Sequence, residues 1–275
     1  MPELPEVHTT VQGLNILVNQ EITSINCFSR KLRHKIPRNI TKLLNFKLII
    51  KTYRIGKYII IDLEDHHSII FHLGMSGRLR LYTKIKYNRE KHDHCILNTK
   101  KYILIYNDPR KFGFIDLVLT KKIYKKKYIS ILGIDALDNK LNAEYLIPKI
   151  NKSIVPIKQI LLDQRIISGI GNIYASEILF DAKINPLIKG YQLNVLEINN
   201  LIKSIRKILV KAIKYGGSSL KDYISTDGTL GNFQKNFKVY NRAGKKFRGN
   251  KIIRIIQYGR STFYCPKIQK SNKMD

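Results

Sequence analysis

A change of sequence period near residue 130 constrains the fold most. Before it, short β-rich runs follow one another with few helical segments between them, a pattern typical of an antiparallel sandwich or barrel. The runs are Ile22–Phe28, Lys47–Tyr53, Tyr58–Leu63, Ser68–Leu73, Arg78–Tyr82, His94–Asn98, Tyr102–Ile105 and Gly113–Leu119. Residues 4 to 18 precede them as an amphipathic helix with apolar positions at helical spacing. Glu3 and Glu6 suit the positive N-terminal end of that helix.

Helical periodicity replaces the β pattern after the basic run Lys121–Lys127, which we interpret as a linker. The predicted helices are Asn142–Lys149, Ile157–Gln164, Asn172–Phe180 and Leu193–Ile213, with Gly169–Gly171 as a turn and Gly216 and Gly217 as a C-cap. Near the C-terminus, Lys251–Gln257 and Ser261–Cys265 flank a predicted hairpin tip at Tyr258-Gly259-Arg260. The predicted fold class is therefore α+β.

The charge balance points to a polyanionic partner. The 275 residues include 50 Lys and Arg against 20 Asp and Glu, a formal net charge of +30. Such a field favours nucleic acid as the partner. Lys, Ile, Asn and Tyr are all abundant, so AT-rich codons are an alternative source of part of this charge.

Cysteine usage and hydropathy indicate a cytoplasmic protein without a membrane segment. The three cysteines, Cys27, Cys95 and Cys265, are far apart and odd in number, so no disulfide framework is predicted. No apolar run approaches the ~18 residues of a membrane span. The N-terminus lacks the basic start of a signal peptide.

The chain begins Met1-Pro2-Glu3. Removal of Met1 would leave a secondary amine beside a carboxylate, and such an amine can attack a sugar carbon and form an iminium. The simpler interpretation is an ordinary chain start with Glu3 as a first-turn helix acid.

Several glycine-rich or polar segments also have two interpretations. The turns His72–Gly77 and Asp108–Gly113 place Met75, Arg110 and Phe112 where they could enter a base stack, or they are ordinary turns whose apolar residues return to the core. Gly171-Asn172 opens a helix whose N–H groups suit a phosphate, or it is a plain turn. Lys91–His94 favours a phosphate or structural role over a metal site, since its side chains alternate between faces.

Taken in order, these segments resemble bacterial formamidopyrimidine-DNA glycosylases. The matching segments span nearly the whole chain: Met1–Val7, His72–Gly77, Lys91–His94, Asp108–Gly113, Gly171–Glu177 and Arg260–Cys265. The resemblance implies an N-terminal helix plus antiparallel β-sandwich over residues 1–130. It also implies a helix–two-turns–helix DNA-binding domain over 131–225 and a β-hairpin finger over 238–272.

The resemblance also implies roles for individual residues. Pro2 would attack C1′ of the damaged nucleotide, and Glu3 would act as acid and base. Lys57 would contact phosphate and assist β-elimination, and Arg260 would grip phosphate and serve δ-elimination. The implied DNA contacts are His92, Asn172, Lys152 and Ser153, together with Met75, Arg110 and Phe112, which would fill the gap left by the everted base. The implied lesion pocket includes Lys158, Ser218 and Ser219.

The finger departs from the family pattern. The family's four zinc-binding cysteines fall at Phe247, Asn250, Cys265 and Ile268, so a single thiol remains. Tetrahedral zinc needs four ligands, usually Cys or His, so no metal or other cofactor is predicted. Either apolar residues pack where the metal would sit, or the finger has decayed and binds DNA weakly.

The function implied is that of a DNA-formamidopyrimidine glycosylase and AP lyase of base excision repair. Its expected partner is double-stranded DNA carrying oxidised purines or abasic sites, and a monomer is expected. Two alternatives stay open: an endonuclease VIII-like enzyme for oxidised pyrimidines, and a non-catalytic DNA-binding protein.

Overall fold

The computed structural model describes residues 2–83, 87–218 and 231–270. These residues fall into two compact units. The first is drawn from Met1–Ser130 with Tyr215–Gln234, and the second from Ile131–Lys214 with Lys235–Asp275. The domain boundaries expected from the sequence stay a prediction.

The first unit opens with helix α1, Leu4–Leu14, followed by a three-ten turn over Asn15–Leu17. The helix is shorter than the predicted span of 4 to 18, because the chain tightens after Leu14 and Val18 is extended. The apolar face of α1 buries Val7, Val11 and Leu14, as the helical spacing predicted.

Antiparallel strands make up most of the first unit. They are β1 Ile22–Cys27, β2 Ile49–Ile55, β3 Tyr58–Leu63, β4 His67–His72, β5 Arg78–Thr83, β6 Asp93–Thr99, β7 Tyr102–Asn107 and β8 Phe114–Leu119. One sheet has the order β1-β6-β7-β5 and the other β2-β3-β4-β8. Each predicted β run corresponds to one of these strands, with bounds that differ by up to two residues.

One apolar core joins the inner faces of both sheets and α1. It contains Ile25 of β1 and Leu97 of β6 together with Ile59 and Ile61 of β3. Side chains of a strand alternate between its faces, so both sheets direct one face to this shared core. The arrangement is an antiparallel sandwich. The sequence pattern allowed a sandwich or a barrel, and the barrel is wrong.

The sequence analysis did not predict two short helices of this unit. Helix α2 spans Ile40–Leu44, and α3 spans Lys127–Ser130. The basic run predicted as a linker lies largely in a three-ten turn, Thr120–Lys125, because Ile123 within it is buried.

Helices dominate the second unit. They are α4 Ala143–Ile150, α5 Ile157–Leu162, α6 Asn172–Asp181 and α7 Val195–Lys214. Helix α6 is apolar around most of its surface and packs against α5, α7 and the C-terminal hairpin. Two short parallel strands, β9 Ile134–Asp135 and β10 Ile167–Ser168, also lie here. No helix in the described part of the chain combines the length and apolar character that a membrane crossing requires.

The finger consists of two hairpins within the second unit. The first pairs β11, Lys246–Phe247, with β12, Asn250–Lys251. The second pairs β13, Ile253–Gln257, with β14, Arg260–Tyr264. Its two-residue turn has positive φ at both positions, 49° at Tyr258 and 72° at Gly259, which matches the backbone of a tight hairpin. Arg260, predicted at the tip, is instead the first residue of β14, opposite Gln257.

Candidate functional site

The N-terminal segment is buried and held by its own helix. Pro2 and Glu3 are both buried, and the N–H of Glu3 donates to Oε2 of Glu6 at 2.9 Å. Glu3 precedes the first residue of α1, where backbone N–H groups lack intrahelical partners. The Glu6 carboxylate therefore fixes the backbone immediately after Pro2.

Glu6 also binds the segment that follows α7. Its other oxygen, Oε1, accepts the N–H of Ser218 at 2.7 Å and the hydroxyl of Ser218 at 3.0 Å. A side chain at Gly217 would meet this carboxylate, because a Cβ there would lie 2.9 Å from Oε1. The predicted pocket residue Ser218 is thus buried against the N-terminal segment, and Ser219 lies outside the described residues.

Lys57 lies in the two-residue turn between β2 and β3. Gly56 takes the positive φ of that turn, 56°, and its carbonyl accepts from the Arg54 guanidinium at 2.7 Å. Lys57 itself is largely buried. The pKa of His72 is lowered to about 4, mainly by burial and further by the positive charges of Lys57 and Arg33. His72 is therefore neutral at pH 7.

One carboxylate holds together the two turns that carry Met75, Arg110 and Phe112. Asp108 accepts the Ser76 hydroxyl at 2.6 Å and the Gly113 N–H at 2.8 Å. The Ser76 oxygen in turn accepts the N–H of Arg110 at 3.2 Å. The turns touch backbone to backbone, since a Cβ on Gly74 would lie 2.4 Å from the carbonyl carbon of Phe112. Only glycine fits that approach.

The tips of these turns point outward. Met75 is 38 % exposed and Phe112 is 45 % exposed, so the interpretation in which both return to the core is wrong. The guanidinium of Arg110 lies 4.6 Å from the centre of the Phe112 ring. A cation and two apolar side chains are thereby presented together on the surface of the first unit.

The polar run Lys91–His94 leads into β6 and contains both buried structural residues and accessible ones. Asp93 is buried and accepts from Arg80 at 2.7 Å and Asn107 at 2.8 Å. Burial alone would raise its pKa, but hydrogen bonds and the charge of Arg80 hold the pKa below its ordinary value. His94 is buried between Ser29 and the Asp108 carbonyl. Lys91 is exposed and His92 is partly buried, so these two residues of the run are available to a ligand.

In the second unit, Asn172 and Lys158 both contact the C-terminal hairpin. The Asn172 amide donates to the Ser261 carbonyl at 3.0 Å. The Lys158 ammonium donates to the same carbonyl at 3.0 Å and to the Thr262 hydroxyl at 2.7 Å. Lys158 is fully buried. The ammonium ties α5 to β14, and the place of Lys158 in a lesion pocket stays a prediction.

The remaining candidate contacts of this unit are accessible. Arg260 is exposed at the start of β14. Lys152 is exposed and Ser153 partly buried in the turn after α4. The Ser153 N–H closes that turn on the Ile150 carbonyl at 2.9 Å. Each side chain sits on a short, hydrogen-bonded segment and can meet an anion.

Sequence reasoning gave no functional weight to Glu177, the buried acid of α6. Its carboxylate accepts the consecutive N–H groups of Lys238, Val239 and Tyr240 at 2.9, 2.9 and 2.8 Å. Burial raises its pKa, while the hydrogen bonds oppose that shift. Glu177 anchors the start of the finger to α6, and its position within Gly171–Glu177 was the only available signal.

The finger does not fit a zinc ion. Cys265 is a buried free thiol, and the described residues contain no group of three or more His, Cys, Asp or Glu that could hold a metal. Phe247 and Ile268 instead pack against a cluster of Phe180, Val239, Ile252, Phe263 and Cys265. The Phe180 and Phe247 rings meet edge to face at 5.0 Å. Apolar contacts occupy three of the family's four ligand positions, and at the fourth the Asn250 amide donates to the Arg248 carbonyl at 3.0 Å. No chemistry is assigned to a metal here.

Comparison with known proteins places this architecture. Residues 1–115 match the formamidopyrimidine-DNA glycosylase N-terminal domain, and residues 132–224 match the formamidopyrimidine-DNA glycosylase H2TH domain. The chain is 45 % identical to the formamidopyrimidine-DNA glycosylase of Zymomonas mobilis, over 98 % of this chain and 100 % of that protein. It is 43 % identical to that of Rickettsia africae, with the same coverage of both chains.

Solved structures agree with the sequence comparisons. A Lactococcus lactis Fpg in complex with abasic-site DNA superposes with a TM-score of 0.90 at 36 % identity, covering 98 % of this chain and 100 % of that one. The complex of the same species' protein with an N7-benzyl-Fapy-dG DNA gives the same values. The chain belongs to the formamidopyrimidine-DNA glycosylase family.

Proposed function

We propose that this protein is a bifunctional DNA glycosylase and AP lyase of base excision repair that excises oxidised purines, 8-oxoguanine and formamidopyrimidines, from double-stranded DNA. One observation carries the proposal. In a chain of this family, Pro2 precedes a Glu3 whose backbone N–H is fixed by the buried Glu6 carboxylate. Removal of Met1 then leaves a secondary amine, a nucleophile suited to Schiff-base chemistry, on a rigid support.

The reaction follows from the chemistry of that amine. The Pro2 nitrogen attacks C1′ of the damaged nucleotide, the bond from C1′ to the base breaks, and opening of the sugar gives an iminium. Glu3 moves protons around the deoxyribose. Loss of a C2′ proton then expels the 3′ phosphate, and a second elimination, assigned to Arg260, expels the 5′ phosphate. Lys57 assists the first elimination as a phosphate contact.

DNA contacts come from both units in this proposal. Since a base cannot be excised within the stack, it must flip out, which costs a few kcal/mol. The exposed Met75 and Phe112 fill the gap, and Arg110 beside them contacts phosphate. His92 adds a contact in the first unit. In the second unit, Lys152, Ser153, Asn172 and Arg260 bind phosphates, and the net charge of +30 supports a polyanionic substrate.

Borohydride trapping tests the catalytic step. Borohydride reduces an iminium to a stable amine, so the protein should become covalently attached to an 8-oxoguanine duplex. Pro2→Gly should abolish the adduct while retaining binding to the duplex in a gel-shift assay. Two controls are matched: Pro37→Gly, which changes a proline elsewhere in the first unit, and a form whose N-terminal amine is blocked by a retained tag. An adduct of undiminished yield from the blocked form contradicts the proposal.

A preference for oxidised pyrimidines is the second candidate. One observation favours it: a Lactococcus lactis Fpg, similar to this chain with a TM-score of 0.90, has been crystallised with oxidised-pyrimidine-containing DNA. Single-turnover cleavage of 8-oxoguanine and thymine-glycol duplexes separates the two. Faster cleavage of the 8-oxoguanine duplex supports the purine assignment, and the reverse order supports the endonuclease VIII-like alternative.

We place the protein in the bacterial cytoplasm, acting on the nucleoid as a monomer.

A further inference from the structure

Two cysteines far apart in sequence lie side by side in the first unit. Cys27 ends β1 and Cys95 lies in β6, and the antiparallel register places them directly opposite each other. Their sulfur atoms are 2.8 Å apart, and both residues are free thiols. We infer that Cys27 and Cys95 form an oxidation site, a dithiol that hydrogen peroxide converts into an intrachain disulfide and that a thiol reductant restores.

The backbone geometry already suits that bond. Directly opposite pairs in an antiparallel ladder alternate between hydrogen-bonded and non-hydrogen-bonded. The Phe28 N–H donates to the His94 carbonyl at 2.9 Å, so the neighbouring Cys27–Cys95 pair is non-hydrogen-bonded. Such pairs bring Cα atoms to about 4.5 Å, which falls within the range of about 4.4–6.8 Å found in disulfides. The sulfurs need to approach by less than an ångström, without backbone movement.

An oxidant can reach one of the two sulfurs. Cys27 is partly exposed and lines a cavity of about 600 Å³. Cationic side chains surround the same cavity: Arg30, Lys31, Lys35 and Arg38. Peroxide oxidises a thiol whose sulfur is accessible to solvent. Cys27 is therefore the sulfur that meets the oxidant.

Cys95 has the properties of the second, resolving thiol. It is 3 % exposed, so an oxidant does not reach it from solvent. Its hydrogen bond with Cys27 and its burial raise the pKa of its thiol well above the ordinary value. Cys95 thus stays protonated and protected until Cys27 has reacted.

The reaction balances in two steps. The Cys27 sulfur attacks a peroxide oxygen, the O–O bond breaks, and Cys27 becomes a sulfenic acid while one water leaves. The Cys95 sulfur then attacks the Cys27 sulfur, the S–O bond breaks, and a second water leaves with the Cys95 proton. The two thiols lose two electrons to the peroxide, and a small thiol reductant restores them by exchange.

The bond would tie β1 to the middle of its sheet. Cys27 and Cys95 are separated by 68 positions in sequence, and a cross-link that closes a long loop stabilises the fold by restricting the unfolded chain. Oxidation should therefore raise the melting temperature of the protein by about 5–15 °C.

The experiment treats the full chain with hydrogen peroxide, alkylates remaining thiols under denaturing conditions, and maps peptides without reduction. The expected product is a cross-linked peptide pair containing Cys27 and Cys95, reversed by a thiol reductant. Cys265, buried in the second unit, should stay fully alkylatable and is the internal control. Recovery of Cys27 as free thiol, or as sulfinic acid without the cross-link, overturns the inference.

Two single variants separate the roles of the sulfurs. Cys95→Ser should stop at a Cys27 sulfenic acid that a dimedone reagent traps, and Cys27→Ser should leave Cys95 alkylatable after the same treatment. The melting temperature of neither variant should rise with peroxide. Because both variants keep every methionine of the natural protein, they also control for methionine oxidation. If peroxide does not raise the melting temperature of the natural protein more than it raises those of the variants, the predicted stabilisation by the disulfide is contradicted.

Discussion

Glu6 and Ser218 are joined through a single oxygen atom: Oε1 of Glu6 accepts both the backbone N–H and the hydroxyl of Ser218, at 2.7 and 3.0 Å. The second oxygen of the same carboxylate accepts the N–H of Glu3. One buried side chain therefore sets the position of the proposed nucleophile and of the segment after α7.

We expect Glu6→Gln to damage both positions. An amide offers one acceptor oxygen in place of two, so a buried N–H loses its partner, which costs about 1–3 kcal/mol. The free energy of unfolding should fall by that amount, and the single-turnover rate on an 8-oxoguanine duplex should fall with it. Glu144→Gln, in the exposed first turn of α4, is the matched control and should alter neither. Unchanged stability and rate in Glu6→Gln would show that the carboxylate is dispensable.

Stability should decline as the pH falls through the range set by His72. Burial, with Lys57 and Arg33, lowers the folded-state pKa of this residue to about 4, whereas an unfolded histidine has a pKa of about 6.5. The unfolded state therefore takes up a proton first, and stability is lost between about pH 6.5 and pH 4.

The check is chemical denaturation across that range. His72→Phe keeps an aromatic ring against Tyr58 and Phe114 but cannot titrate, so its pH dependence should be shallower. His66→Asn, an exposed position with positive φ, should keep the pH dependence of the natural protein. Parallel curves for His72→Phe and the natural protein would refute the assignment.

Metal should be dispensable for the finger. We expect metal analysis of the purified protein to give far less than one zinc per chain, and a chelator to leave the melting temperature unchanged. Phe247→Ala should lower the stability by about 1–3 kcal/mol, since it removes a half-buried ring from the apolar cluster. The triple change Phe247→Cys, Asn250→Cys and Ile268→Cys restores two C-x-x-C pairs with Cys265 and should create a zinc site. Stoichiometric zinc in the natural protein would overturn the prediction.

Salt should weaken DNA binding steeply. The proposed phosphate contacts include four cations: Lys57, Arg110, Lys152 and Arg260. Each neutralised phosphate contributes about −0.9 to the slope of log K against log salt, so a slope of about −3.6 is expected, roughly 150-fold between 50 and 200 mM. Arg260→Gln should reduce the slope by about 1. Arg165→Gln is the control, because Arg165 is already paired with Asp163 at 2.7 Å; an equal loss in both variants would indicate a general charge effect.

The Phe112 ring should matter for DNA and little for folding. It is 45 % exposed, so Phe112→Ala should change the free energy of unfolding by no more than about 0.5 kcal/mol. Its loss should slow excision from a fully paired duplex by about tenfold or more, because unstacking costs a few kcal/mol that the ring no longer offsets. Phe46→Ala, exposed by 70 % elsewhere in the first unit, should leave the rate unchanged.

Local sequence signals were enough for most of the fold. The β runs were recognised because β-branched and aromatic residues fill them, and the helices because their apolar residues recur at helical spacing. The two-residue strands β9 and β10 carry no such signal, since they depend on a parallel pairing across 33 positions, Ile134 with Ile167. Helix α2 is too short to show a period.

The site was harder to predict where side chains bind distant backbone. Pro2, Glu3, Arg110 and Phe112 could be named from local motifs, and the structure gives their placement. The Glu6 bond to Ser218 spans 212 positions, and the Glu177 bonds to the finger span 61 to 63. Periodicity and spacing contain no information on contacts of that range. For the same reason the bond from the Lys158 ammonium to β14, across 104 positions, could not be predicted.

The single carboxylate of Asp108 also has a consequence for transplanting this surface into another protein. Because it holds Ser76 of one turn and Gly113 of the other, and because Gly74 touches the Phe112 backbone, the two tips behave as one rigid piece. Either loop grafted alone would lack the hydrogen bonds and backbone contact that the other loop provides. Only both loops together, with Asp108 between them, would reproduce the spacing of Met75, Arg110 and Phe112.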